Sequence, residues 1–292
     1  MASNYNPFTK RESHGRLSLG SYRVLVPLSW LLVVVVGLYY TVHAPDDVKH
    51  GHKIFKQADR HTTPFSHSVV VTGIYWVLLL LSQLSYVYHL FHKDSNIVTA
   101  TANIGSHFIL NNLFIFAWIL LWTRNHFWGS EIMLIANFIN LHTAYWRNRG
   151  LPALVHLSAI AGPFAWTLMA LFWNGAVAVN SNGLPARIAA NVFIWVIFVF
   201  GMGHITATQD ALLGYCLSLL TLGLALKQFA IKTIALQWIF AFVIFAVFFV
   251  ESLYISAAKY SGRDILFRKL VHPSTDRERE PLLNEPSGEA AV

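Results

Sequence analysis

Long apolar runs separated by short polar segments dominate the chain. Runs of roughly twenty residues match the length that a helix needs to cross a bilayer, and no stretch shows the ten-residue alternation typical of membrane strands. We therefore predict an all-α fold, a polytopic transmembrane helix bundle of about eight spans. The predicted spans cover residues 22–43, 67–91, 103–123, 129–147, 153–179, 187–207, 211–230 and 233–257.

One boundary in this pattern leaves the number of spans open. Only Ala207-Thr208-Gln209-Asp210 separates the sixth apolar run from the seventh. Lys227 also falls near the far end of the seventh run, where it shortens the apolar stretch. A bundle of seven spans is therefore the alternative.

The polar segments divide the chain into a bundle at 22–257 and two tails, at 1–21 and 258–292. Lys and Arg concentrate beside the first and last spans, and cytosolic flanks of membrane helices carry an excess of these residues. We predict that both tails are cytosolic and that the 44–66 loop is lumenal. The polar composition of the C-terminal tail is typical of disorder.

The composition supports lipid as the solvent of this chain. Its residues are 55% hydrophobic and 12% charged, whereas soluble domains carry about 25% charged residues. The net charge of +7 comes from tails and short loops and forms no basic stripe with interleaved aromatics. We predict the lipid bilayer as a partner and no nucleic acid. The single cysteine, Cys216, excludes a disulfide within the chain and a Cys metal cluster.

A sorting signal is predicted in the C-terminal tail. Glu278 precedes the pair Leu282-Leu283 by four positions, which resembles the acidic dileucine signals of vacuolar and lysosomal membrane proteins. Two adjacent leucines in a flexible polar tail can enter an apolar groove of a sorting adaptor. We predict an integral endomembrane protein of the vacuolar membrane; an accidental leucine pair is the alternative.

Polar and indole side chains at membrane depth mark a candidate site, because such groups face the protein interior. They lie on shared faces of the third, fourth and fifth predicted spans. Indoles supply flat apolar walls and amides orient a ligand. The predicted ligand-binding residues are His107, Asn111, Trp118, Asn137, Asn140, Trp166, Trp173 and Asn174.

The same residues support two hypotheses about function. The first is a protein that binds or passes a small apolar or amphipathic ligand through a Trp- and Asn-lined cavity. The second is a structural or assembly protein without a ligand, because intramembrane amides also join helices to one another.

Catalytic and metal sites are not predicted. The chain has no G-x-S-x-G elbow, no H-E-x-x-H motif and no glycine-rich phosphate loop. A membrane-embedded enzyme using His107, His156 or His204 is a third alternative, but these histidines have no ligand spacing. We predict no enzyme activity, no cofactor and no metal.

Carboxylates are scarce in the apolar runs, which argues against an ion-coupled transporter. The two candidates are Asp210, at a span boundary, and Glu251, near the end of the last span. We expect Glu251 to lie near the interface and to pair with a neighbour such as Lys259.

Three segments resemble an uncharacterised fungal family of multi-pass membrane proteins. They are His107-Phe-Ile-Leu-Asn-Asn-Leu-Phe-Ile-Phe-Ala-Trp118, Trp128-Gly-Ser-Glu131 and Trp166-Thr-Leu-Met-Ala-Leu-Phe-Trp-Asn174. The resemblance extends from about Tyr22 to Arg263 and implies a fungal membrane protein without implying an activity.

Residues 65–180 also resemble the tryptophan-rich sensory (TspO) proteins, which are five-helix membrane proteins that bind tetrapyrroles and sterols. The matching side chains are Asn111 or Asn112, Trp118, Trp166 and Asn174. This chain differs in having about three further spans and no Asn-Pro-Pro at the first helix. The resemblance implies a tetrapyrrole or a sterol as ligand.

Overall fold

The computed structural model describes residues 6–180, 183–231 and 236–261. The elements in this part of the chain are helical, and the predicted all-α class is confirmed. One π-helical turn, Leu157–Ala161, joins α7 to α8. The helices are α1 Arg16–Val42, α2 Ile54–Arg60, α3 Val69–His89, α4 Ser95–Ala102, α5 Gly105–Thr123, α6 Phe127–Arg147, α7 Ala153–His156, α8 Gly162–Ala178, α9 Leu184–Thr208, α10 Ala211–Ile231 and α11 Gln237–Ser261.

Both ends of the bundle extend beyond the predicted boundaries. Helix α1 begins at Arg16, inside the predicted tail at 1–21, and α11 continues past 257 to Ser261. The remainder of the C-terminal tail lies outside the described residues, and with it the sorting motif Glu278, Leu282 and Leu283.

Seven helical segments of the described chain are long and apolar enough to cross a membrane: α1, α3, α5, α7 with α8, α9, α10 and α11. Helix α10 corresponds to the doubtful seventh span. The short link before it is a sharp turn, because Gln209 adopts a left-handed backbone conformation with φ 53° and Asp210 accepts hydrogen bonds from the first turn of α10.

Helix α6, the fourth predicted span, is the one long helix of the described chain outside this set. It has 21 residues, the same length as α3. Its apolar side chains Trp128, Ile132 and Ile135 are exposed on the bundle surface, while Asn137 and Asn140 are buried. The amide-bearing interior face therefore lowers its hydropathy, although its outer face is apolar.

Contacts at the two ends of the bundle show that the long helices alternate in direction. At one end, which we call the loop end, the 44–66 loop meets the end of α5 and the 61–68 segment meets α10. The His52 N–H donates to Thr123 O at 3.0 Å, and the Ser68 N–H donates to Gly223 O at 2.8 Å.

The opposite end, the terminal end, holds the start of α1 and the end of α11. His14 Nε2 lies 3.0 Å from Asn103 Oδ1, just before α5, and Lys259 Nζ donates to Gln209 O at 2.8 Å. Both termini of the bundle therefore lie at one end, as an even number of spans requires. Which end faces the cytosol stays a prediction.

The 44–66 loop is folded onto the loop end. Gln57, on α2, is fully buried and its Nε2 donates to Trp122 O at 3.1 Å. Lys227 bonds Asp59 at 2.8 Å and Arg124 bonds Asp47 at 2.9 Å. The hydrogen bond from Arg124 holds the pKa of the Asp47 carboxyl below its ordinary value. These contacts cover the ends of α5 and α10.

Helix α8, with α7, is the most buried of the candidate spans and lies at the centre of the bundle. The π turn before it widens the backbone ahead of Pro163, which has no N–H to donate. Tyr75 Oη donates to Gly162 O at 2.7 Å and Gln83 Nε2 donates to Ser158 O at 3.3 Å. Helix α3 thereby bonds to backbone carbonyls within and next to the π turn.

Candidate functional site

Buried polar side chains join α5 to α6. The ring Nδ1 of His107 lies 2.8 Å from Asn140 Oδ1, and Asn140 Nδ2 donates back to His107 O at 3.0 Å. One turn away, Asn137 Nδ2 donates to Asn111 Oδ1 at 2.9 Å. We call His107, Asn111, Asn137 and Asn140 the amide ladder.

The amide ladder extends to α1 and α8. Asn137 Nδ2 also lies 3.2 Å from Thr167 Oγ1 on α8. Asn111 Nδ2 donates to Asn112 Oδ1, and Asn112 Nδ2 donates to Ser29 Oγ at 3.1 Å on α1. The ladder thus bonds four helices together, which is the geometry of helix-to-helix hydrogen bonding.

An apolar cleft lies beside the ladder, between α1, α3, α5 and α8. It has a volume of about 210 Å³ and none of the four ladder residues lines it. Its inner wall consists of Trp76, Trp118, Trp166 and Trp173. Leu38 and Val77, which border it, are exposed on the bundle surface, so the cleft opens where lipid would lie. We call it the indole cleft.

The indoles of the cleft pack against one another. The ring centroids of Trp76 and Trp166 lie 5.2 Å apart. Trp122, behind the cleft, stacks on Trp118 at 5.7 Å and contacts Trp173 at 5.0 Å. Such mutual packing holds each ring in one orientation.

Two of these indoles lack a hydrogen-bond acceptor. Trp166 and Trp173 are 1% and 4% exposed, and their Nε1 atoms have no partner among the described residues. By contrast, Trp118 Nε1 donates to Asn174 Oδ1 at 3.3 Å and Trp122 Nε1 donates to Ile54 O at 3.2 Å. A buried donor left unpaired costs about 1–3 kcal/mol.

Asn174 lies between the cleft and α6 and uses both ends of its amide. Its Oδ1 accepts from Trp118 Nε1 and from Ser130 Oγ at 2.8 Å. Its Nδ2 donates to Phe127 O at 3.0 Å and to Glu131 Oε2 at 2.8 Å. Asn174 therefore connects an indole of the cleft to a carboxylate.

The structure thus divides the eight predicted residues. The first group, His107, Asn111, Asn137 and Asn140, forms the amide ladder. The second, Trp118, Trp166 and Trp173, lines the cleft, and Asn174 bridges from the cleft to α6. Sequence reasoning missed Trp76 and Glu131, because the helical spacing around each residue does not show which residues of other helices lie beside it.

A second polar cluster lies at the terminal end, around Asp210. Its Oδ2 is 2.6 Å from His156 Nε2 and accepts from Tyr145 Oη at 2.9 Å. Its Oδ1 accepts from the N–H groups of Leu212 and Leu213 at 3.1 Å each. Burial alone would raise the pKa of this carboxyl, but the hydrogen bond and charge of His156 hold the pKa of Asp210 below its ordinary value. The cluster ties α6, α7 and α10 together.

The expected pairing of Glu251 with Lys259 is wrong. Glu251 Oε1 accepts from Thr206 Oγ1 at 2.9 Å, whereas Lys259 Nζ bonds a backbone carbonyl. Within the described ranges no group of three or more His, Cys, Asp or Glu side chains is placed to hold a metal ion.

Comparison with known proteins gives a match to a family over part of the chain, and no activity. Residues 187–283 match the model of a family described as fungal protein of unknown function (DUF1774). An uncharacterised protein of Schizosaccharomyces pombe is 24% identical over 194 residues, which are 64% of this chain and 71% of the relative. No solved structure matches the chain. The predicted resemblance to an uncharacterised fungal family is confirmed.

The family match covers a different part of the chain from the segments that suggested the resemblance. It includes α9, α10 and α11, with Asp210 and Glu251, whereas the indole cleft and the amide ladder lie outside it. The likeness to the tryptophan-rich sensory proteins stays a resemblance of four side chains.

Proposed function

We propose that this chain is a non-enzymatic integral membrane protein of a fungal endomembrane that holds a small amphipathic ligand in the indole cleft. The observation that supports this most is the pair of unpartnered indole N–H groups, on Trp166 and Trp173, beside an apolar cleft. A ligand whose hydrogen-bond acceptor reached either donor would satisfy it, and the bilayer would supply such a ligand through the open side.

The lining indicates the chemistry of the ligand. The residues around the cleft carry no charged side chain, so a neutral ligand is favoured over an ion. An apolar cavity of about 150 Å³ admits benzene, and the indole cleft, at about 210 Å³, accommodates a larger ring system or a short acyl segment. A sterol suits this site better than a tetrapyrrole with its carboxylates, because its hydroxyl-bearing rings would enter the cleft while the rest of the molecule stayed in the bilayer.

Removing the two unpaired donors should weaken sterol binding. We expect the double variant Trp166→Phe, Trp173→Phe to bind tritiated ergosterol about tenfold more weakly, because each lost hydrogen bond contributes about 0.5–1.5 kcal/mol. The measurement is saturation binding to the full-length chain in lipid nanodiscs. Trp128→Phe is the matched control, since Trp128 is 63% exposed and does not line the cleft.

The same variant separates the ligand hypothesis from the structural one. If the protein had only a structural role, neither the native chain nor the double variant would bind ergosterol saturably. Unchanged affinity in the double variant would contradict the role of the two donors.

A structural role is the second candidate, and the amide ladder supports it. The ladder side chains bond to each other and to neighbouring helices rather than lining the cleft. In this case Asn111→Ala would lower the thermal stability of the protein or dissociate a complex without changing ligand affinity.

The compartment we propose is the vacuolar membrane, with the Glu278, Leu282 and Leu283 signal bound by a cytosolic sorting adaptor. This proposal rests on the sequence of the tail and is supported by the placement of both bundle termini at one end.

Substituting the leucine pair should relocate the protein. We expect a tagged full-length chain at the vacuolar rim and the variant Leu282→Ala, Leu283→Ala in another membrane, as seen by fluorescence microscopy. The control is Leu266→Ala, Leu270→Ala, which removes two leucines from the same tail. The same distribution for all three chains would reject the signal.

A further inference from the structure

A groove at the loop end places a carboxylate against apolar surface. It lies between α6, α8 and α9, has a volume of about 440 Å³, and includes Glu131 in its lining. Four aromatic side chains, Phe65, Trp128, Phe172 and Phe193, also line it. We call it the acidic groove.

Glu131 has no positively charged partner in the described chain. The ion pairs found there involve Asp47, Asp59 and Asp210. The one hydrogen bond recorded for its side chain comes from Asn174, at Oε2. A charged carboxylate at membrane depth is costly unless a cation compensates it.

Short side chains on α8 and α9 leave room beside this carboxylate. Gly175 faces it so closely that a Cβ at this position would lie 3.3 Å from Glu131 Oε1. Ala186 and Ala189 line the opposite wall. The carboxylate therefore packs directly on α8, and the groove beside it is walled by small side chains and flanked by aromatic rings whose faces attract cations.

The groove also opens toward the region that lipid would occupy. Trp128 and Phe193 are 63% and 53% exposed, and both belong to the lining. A ligand with an apolar body could enter from the bilayer, and its charged head would meet Glu131.

From this arrangement we propose that the acidic groove binds a lipophilic organic cation, with an ammonium head at Glu131 and an apolar body along Trp128 and Phe193. This site is distinct from the indole cleft, which has no charged lining residue. The two sites approach each other at Asn174, which bonds both Trp118 and Glu131.

The test uses tritiated dodecyltrimethylammonium and the full-length chain in nanodiscs of zwitterionic lipid. Saturable binding is the part displaced by unlabelled probe. Glu131→Gln keeps the side-chain shape and an acceptor for Asn174, and it should weaken binding at least about tenfold because the charge interaction is lost. Dodecanol, which is neutral, should not compete.

Two further variants test the location of the site. Ala189→Phe fills the groove without altering Glu131 and should also remove saturable binding. Glu251→Gln changes another carboxylate of a long helix, outside the groove, and should leave the affinity unchanged within about twofold. Size-exclusion chromatography of each variant would check that the protein remains folded and monodisperse.

Three outcomes would overturn the proposal. They are unchanged binding in Glu131→Gln, loss of binding in Glu251→Gln alone, and equal competition by dodecanol, which would indicate an acyl-chain groove without charge recognition. The double variant Trp166→Phe, Trp173→Phe should retain cation binding, so failure of the indole cleft proposal and failure of this one are distinguishable.

Discussion

Substituting Gly201 with leucine is expected to prevent formation of a stable bundle. Helix α9 meets α10 and α11 at this glycine: a Cβ there would lie 2.6 Å from Phe248 Cζ and 3.0 Å from Leu217 Cδ1. Both neighbours are fully buried, so neither side chain can turn aside without displacing other core side chains. Overpacking a core costs about 1–3 kcal/mol for small insertions, and a whole leucine side chain should exceed that range.

Gly203→Leu is the control for this prediction. Gly203 is on the same helix, two residues later, and a Cβ there would meet nothing within 4 Å. We expect normal yield and an unchanged melting temperature for this variant, and aggregation or loss of monodisperse protein for Gly201→Leu. Equal thermal unfolding curves for the two variants would show that α9 does not pack at Gly201 as described.

Asn174→Leu is expected to have the second largest effect, a loss of about 3 kcal/mol of stability. The substitution removes the acceptor of Trp118 and Ser130 and the hydrogen-bond donor to Phe127 O and Glu131. Four polar groups would then lack this partner in a region with little water. The melting temperature of the purified protein, followed by thermal unfolding in detergent, measures the change.

Asn191→Leu provides a matched amide substitution. Asn191 is on α9, and its side-chain nitrogen makes one weak contact, to Arg187 O at 3.5 Å. Asn191→Leu should therefore change the melting temperature little.

A double-mutant cycle tests the hydrogen bond between Asn174 and Glu131. We expect Glu131→Gln to lower the stability less in the Asn174→Leu background than in the native chain, because the carboxylate would account for much of the stability lost in Asn174→Leu. Strictly additive losses would contradict this hydrogen bond.

The positions of the long helices could be predicted from the sequence. The predicted span 211–230 is helix α10, Ala211–Ile231, and the predicted span 153–179 contains α8. A bilayer requires about twenty apolar residues per helix. Because this requirement does not depend on which helices pack beside each other, it can be recognised in the sequence alone. Helix α6 matches this apolar pattern less well, because its interior face carries amides that hydrogen-bond to other helices.

The candidate site could be predicted only in part. The periodicity of the helix placed Asn137 and Asn140 on one face, and both are buried. It could not show that these amides bond to α5 while Trp166 and Trp173 line a separate cleft. Trp76 was missed because nothing in the sequence indicates that α3 packs beside α8.

Glu131 illustrates the same limit for charge. It lies near the start of the predicted span 129–147, where a carboxylate faces either water or a neighbouring helix, and local sequence does not distinguish these environments. Its partner, Asn174, is 43 positions away.

The sequence by itself determined that this is an all-helical membrane protein, where its long helices lie, and which side chains are polar inside them, because these properties depend on residues close together in the chain. The tertiary structure decided which of those side chains bond to each other, which indoles keep a free donor, and where a carboxylate meets an open groove. These properties depend on which helices become neighbours, and that is determined by packing between residues far apart in the sequence.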